Sequence, residues 1–90
     1  MGSVAGKIAI VTGAGRGLGK AMAQGLIDAG ANVALVELDQ DVLAQAAAEI
    51  GNGCIAAAGD VSNLDDAKRI VEDTIAAFGG LHILVNNAGL

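Results

Sequence analysis

Short apolar runs alternate along this chain with stretches whose apolar residues recur at helical spacing. Lys7–Thr12 (KIAIVT) is β-branched and runs into glycine, which predicts a buried strand. Leu18, Met22, Leu26 and Ala29 then mark one face of a helix, with Gly30 as its stop. Asn32–Glu37 (NVALVE) reads as a second strand. Asp39 is placed to cap a second helix carrying Val42, Leu43, Ala46 and Ile50, ended by Gly51. Cys54–Ala58 reads as a third, weaker strand, since alanine packs poorly on a sheet. Ser62–Asp65 (SNLD) resembles a capping box before a helix with Leu64, Ala67, Val71, Ile75 and Phe78 on one face, closed by Gly79-Gly80. His82–Asn86 (HILVN) is the fourth strand.

Strands alternating with helices of this length imply right-handed crossovers and a parallel sheet. The expected fold class is α/β, a doubly wound parallel sheet of βαβαβαβ order with strands arranged 3-2-1-4, cut after the fourth strand.

Composition sharpens this picture. The 90 residues fit one domain, yet 53% are hydrophobic and the mean hydropathy is +0.57. A chain this small has too much surface to cover that apolar content by itself. Residues 1–90 are therefore expected to be the N-terminal part of a single domain. The net charge of -5 argues against a nucleic-acid face or attachment to an anionic membrane. A single cysteine, Cys54, excludes an internal disulfide. No apolar run approaches a membrane span, and MGSVAGK lacks a signal core, so the expected location is cytoplasmic.

The candidate chemistry lies at the first strand-to-helix junction. Gly13, Gly15, Gly17 and Gly19 stand at alternate positions there. A helix start has amide N–H groups without internal partners and the positive end of the macrodipole, so it receives an anion if the backbone can approach. Gly13 is expected to turn off the strand, Gly17 to admit a pyrophosphate, and Gly19 to let helix and strand pack closely.

A nucleoside-triphosphate loop is excluded, because Ala14 stands where its first glycine belongs and Ala21 where its hydroxyl belongs. The standard dinucleotide fingerprint starting at Gly13 wants a small residue where Leu18 stands. A methyltransferase-like Gly-x-Gly-x-Gly matches Gly13, Gly15 and Gly17, but wants an acid where Thr12 stands.

Thr12–Gly19 (TGAGRGLG), Asp60-Val61 after the third strand, and Asn86–Gly89 (NNAG) after the fourth together resemble the short-chain dehydrogenase/reductase family. The resemblance spans the chain and implies a Rossmann-like domain binding a nicotinamide dinucleotide. It implies that Gly13, Ala14, Gly15, Arg16 and Leu18 line the pyrophosphate, within the loop closed by Gly17 and Gly19. Asp60 and Val61 would seat the adenine, while Asn87, Ala88 and Gly89 would form the inner wall and Asn86 would brace the sheet. Glu37, at the end of the second strand, is placed to accept hydrogen bonds from the adenosine ribose. A carboxylate there repels a 2′-phosphate, so NAD is expected ahead of NADP, with Arg16 the nearby cation.

The family moves a hydride between the nicotinamide and an alcohol or ketone carbon. Its proton-transfer tyrosine, neighbouring lysine, serine and relay asparagine all lie further along its chains. This sequence contains no tyrosine, so no residue is assigned as catalytic and the 90 residues alone are expected to be inactive. The resemblance implies a full-length homo-oligomer, often a tetramer, acting on a small-molecule substrate. The alternatives are a non-catalytic dinucleotide-binding module covered by a partner chain and, more distantly, an S-adenosylmethionine-dependent methyltransferase fragment. Among other residues, Gly25 and Gly30 are expected to serve packing and capping, and Cys54 to be a small buried residue. His82 is expected at the surface or in packing, Lys20 exposed, and Asp65, Asp66, Lys68 and Arg69 on a solvated face.

Overall fold

The computed structural model describes residues 3–87. The chain runs β1 (Ile8–Thr12), α1 (Gly17–Asp28), β2 (Asn32–Glu37), α2 (Gln40–Ile50), β3 (Cys54–Ala58), α3 (Leu64–Phe78) and β4 (Ile83–Val85). The strands form one parallel sheet in the order β3-β2-β1-β4. Register pairs Ile8 with Asn32, Ala9 with Ile83 and Val33 with Cys54. The expected topology is therefore present. β1 starts one residue later than the apolar run suggests, and β4 is trimmed at both ends.

Strand alternation divides the core in two. On one face Ala9, Val11, Val33 and Leu35 meet Ala23 of α1 and Leu43 of α2, with Leu26, Ile27 and Ile50 packed against them. On the other, Ile10, Ala34, Val36 and Ala57 meet Ile70 of α3. β1 is buried along its whole length because it has a strand on each side and a core on each face.

Two helices sit rotated from their expected faces. In α1 the buried residues are Gly19 and Ala23, whereas Leu18 is 64% exposed and Ala29 is also exposed. Small residues face the sheet because this helix lies close to β1. In α3 the buried residues are Ile70 and Thr74, while Leu64, Val71 and Ile75 are exposed. Thr74 satisfies its buried hydroxyl by donating to the Ile70 carbonyl at 2.7 Å. The helix packs over β2 and β3, so Ala67 and Val71 instead border a hollow of about 210 Å³ above Ile10 and Leu84.

The helix ends follow local chemistry. Asp39 caps α2 as expected, accepting from the Asp41 and Val42 amides. The α3 cap is Asn63, which accepts from the Asp66 amide, one residue later than the SNLD reading placed it. Ser62 is drawn away because both its amide and its hydroxyl donate to Asp60. Gly79 ends α3 in the left-handed conformation. Gly25 does no packing: it is exposed on α1, and a Cβ there would meet nothing within 4 Å.

Candidate functional site

The carboxyl ends of β1, β2 and β3 converge on the glycine loop. β1 ends at Thr12, the chain turns through Gly13 and Gly17, both with positive φ, and α1 begins. A Cβ at Gly17 would project into open space, so this glycine supplies the backbone conformation and leaves the helix mouth clear. Gly19 has the opposite surroundings. A Cβ there would lie 2.1 Å from the Gly13 carbonyl oxygen and 2.6 Å from Asn87 Nδ2. That contact is the reason α1 can lie so close to the strand.

Helix α1 also differs in its start. Its N-cap, Arg16, makes no side-chain capping bond and its first turn holds no acid. Helices α2 and α3 are capped by Asp39 and Asn63 and carry acids in their first turns. The uncapped amides and the positive end of the α1 dipole can accept an anion.

Beside this mouth lies a hollow of about 130 Å³ bordered by Gly13, Glu37, Leu38, Gly59, Asp60 and Val61. Residues from three strand ends, far apart in sequence, are thus brought together. Glu37 Oε2 accepts from the Leu38 amide at 2.9 Å and the Asp39 amide at 3.2 Å. Its Oε1 lies over Gly15, where a Cβ would come within 2.6 Å of it. Asp60 Oδ1 accepts from the Ser62 hydroxyl at 2.6 Å and the Ser62 amide at 2.9 Å. These bonds, the hydroxyl one first, hold the Asp60 carboxyl below its ordinary range. The Asp60 amide donates to Asp66 Oδ2.

Other residues of the loop are committed to the fold. Ala14 is fully buried, and its amide donates to the Val36 carbonyl at 3.0 Å, so its side chain belongs to the core. Leu18 points outward and Arg16 is exposed. Asn87 Nδ2 donates to the Gly13 carbonyl at 3.3 Å, pinning the loop from the β4 side. Asn86 Oδ1 accepts from the buried Thr12 hydroxyl at 3.1 Å, which ties the end of β4 to the end of β1. Ala88 and Gly89 lie outside the described residues.

Three contacts were not legible in the sequence. Lys20 is partly covered and pairs with Glu49 at the far end of α2, bridging the two helices. The Lys20 hydrogen bond and charge hold the Glu49 carboxyl below its usual range. His82 is exposed as expected, yet its Nδ1 accepts from the Ile8 amide at 3.0 Å and its own amide donates to the Ile8 carbonyl. Arg69 donates to the Ala58 carbonyl and pairs with Asp66 and Asp73. The Lys20–Glu49, His82–Ile8 and Arg69–Ala58 contacts link positions whose proximity depends on the chain crossing over, whereas the Arg69 pairs with Asp66 and Asp73 are local to α3. Cys54 is only half-buried; its thiol donates to the Gly51 carbonyl, and burial pushes its pKa up.

Among the described residues, no cluster of His, Cys, Asp or Glu is placed to hold a metal ion. No helix there is long and apolar enough to cross a membrane.

Comparison with known proteins agrees with this geometry. The chain is 39% identical over 92 residues to 11-beta-hydroxysteroid dehydrogenase-like 2 of Arabidopsis thaliana, which covers 98% of this chain and 30% of that protein. Among solved structures it resembles the 3-ketoacyl-(acyl-carrier-protein) reductase of Brucella melitensis complexed with NADH. The TM-score is 0.87 at 39% identity, covering 91% of this chain and 34% of that one. It also resembles the L-sorbose reductase of Gluconobacter frateurii complexed with NADPH and L-sorbose. There the TM-score is 0.91 at 37% identity, with 98% and 35% covered. The chain thus spans about a third of the length of these relatives. The profile of the short chain dehydrogenase family matches residues 7–90, and the chain belongs to that family.

Proposed function

We propose that these residues form the NAD-binding part of an oxidoreductase that interconverts alcohols and ketones. The observation that carries the cofactor reading is Glu37: a carboxylate at the end of β2, beside an uncapped helix mouth built from glycines. The open space at Gly17 fits a close-lying pyrophosphate, with Gly13, Gly15, Arg16, Leu18 and Gly19 completing the loop around it. Ala14 supports that loop from the core side. Glu37 Oε1 accepts from the adenosine ribose, while Oε2 stays on its own loop amides. Asp60 and Val61 bound the adenine end, and Asn87 holds the loop shut behind the cofactor.

NAD is favoured because a 2′-phosphate would bring two negative charges against the Glu37 carboxylate. The solved relatives contain NADH in one case and NADPH in another, so the preference rests on this chain's own acid. When bound, the dinucleotide supplies or accepts the hydride. The residues described bind and orient it. With no tyrosine in the 90 residues, they contribute no phenolic proton donor, and they are expected to show no turnover alone.

Calorimetric titration of this chain with NAD, NADP and S-adenosylmethionine tests the reading. NAD should bind about tenfold or more tightly than NADP, and S-adenosylmethionine should give no heat. In Glu37→Ala the preference should collapse. An unchanged NAD-to-NADP ratio in that variant would remove Glu37 from the ribose, and S-adenosylmethionine binding would overturn the cofactor class.

A further inference from the structure

We infer that Asp39 is a second determinant of cofactor choice, acting through Arg16; the inference rests on the NAD reading above. Arg16 is the loop cation that could attract a 2′-phosphate, and its guanidinium Nη2 lies 3.8 Å from Asp39 Oδ2. Asp39 Oδ1 is meanwhile held by the amides of Asp41 at 3.0 Å and Val42 at 3.2 Å. Two jobs are thus divided between two oxygens: one caps α2, and the other faces Arg16. The cap fixes the carboxylate where the β2–α2 turn faces the loop at the start of α1.

The backbone keeps the two acids in series. Glu37 Oε2 accepts from the Asp39 amide at 3.2 Å, so the carboxylate proposed for the ribose is tied to the backbone of the residue whose side chain faces Arg16. A 2′-phosphate entering this corner would meet the Glu37 charge and would also have to take Arg16 from Asp39. Arg16 and Asp39 are both substantially exposed, so the pair adds little stability. Its effect is on selectivity: it offsets a loop cation that would otherwise favour a phosphate. Asp39 touches no cofactor atom in this scheme and is a positioning residue.

The test is a double-mutant cycle read as the ratio of NADP to NAD affinity, by titration of this chain at low salt. Asp39→Asn keeps an oxygen for the α2 cap and removes the charge. It should raise the ratio about fivefold. Asp39→Glu should leave the ratio near that of the parent. In an Arg16→Ala background Asp39→Asn should gain less than about twofold, and the gain in the Arg16 parent should shrink as salt screens it. Asp39→Ser, a second capping residue without charge, should reproduce Asp39→Asn if the cap is what keeps the turn in place.

An unchanged ratio in both Asp39→Asn and Asp39→Ser, or an equal gain with and without Arg16, would overturn the role of Asp39. The underlying reading fails by a separate sign, a parent chain that binds neither dinucleotide or whose Glu37→Ala variant keeps its preference.

Discussion

The two faces of the sheet are built to different standards. The face under α1 and α2 is closed by small residues at short range: Ala23 and Gly19 let α1 approach β1, and Leu43 and Leu35 fill the space beside it. The face under α3 is covered by one helix lying over β2 and β3, with Ile70 as its buried anchor. Leu84 on β4 remains 65% exposed there, and Ile75 47%. The glycine loop belongs to the tightly packed face. A loop that must present backbone amides at fixed positions needs rigid support, and close packing supplies it.

The sharpest way to probe this contrast is to remove matched bulk from each face. Leu35→Ala should lower unfolding free energy by about 4 kcal/mol, since its surroundings leave little room to collapse. Ile70→Ala should cost about 2 kcal/mol, because the hollow beside α3 lets side chains relax. Urea denaturation of both variants measures the difference, and equal losses would mean that the faces are packed alike.

A smaller but more local effect is expected at the loop. Gly19→Ala places a methyl 2.1 Å from the Gly13 carbonyl oxygen. Backbone must move, at a cost of about 2 to 3 kcal/mol, and dinucleotide binding should be lost even under conditions where circular dichroism shows a folded chain. Retained binding would mean that the close approach of α1 and β1 is dispensable to the site. The smallest change is expected from Leu84→Gln on the open face, less than about 0.5 kcal/mol. A larger loss of stability would show that Leu84 is packed in solution.

Much of the fold was legible because strand and helix periods differ and glycine punctuates them. β2 and β3 have the bounds the pattern predicted, and Asp39 caps α2 as its position implied. The candidate site was legible where it rests on backbone chemistry, in the glycines before α1, and where one side chain ends a strand, as Glu37 does. The faces of α1 and α3 were harder to read. Both sequences offer a plausible apolar stripe, but Leu18, Val71 and Ile75 lose the core to Gly19, Ala23, Ile70 and Thr74. A periodic pattern gives the stripe to within about one residue, a turn of roughly 100° on a helix. That is enough to move a side chain from core to solvent.

The alternation of elements, the parallel order of the sheet and the glycine junction were readable from the amino-acid order, because they follow from local periodicity and backbone freedom. Folding of the sheet decided that Glu37 lies over Gly15, that Asp39 faces Arg16, and that Asn87 closes over Gly19. Those contacts join residues brought together by the crossovers, and no local preference encodes a distance between chain segments that meet only when the sheet has formed.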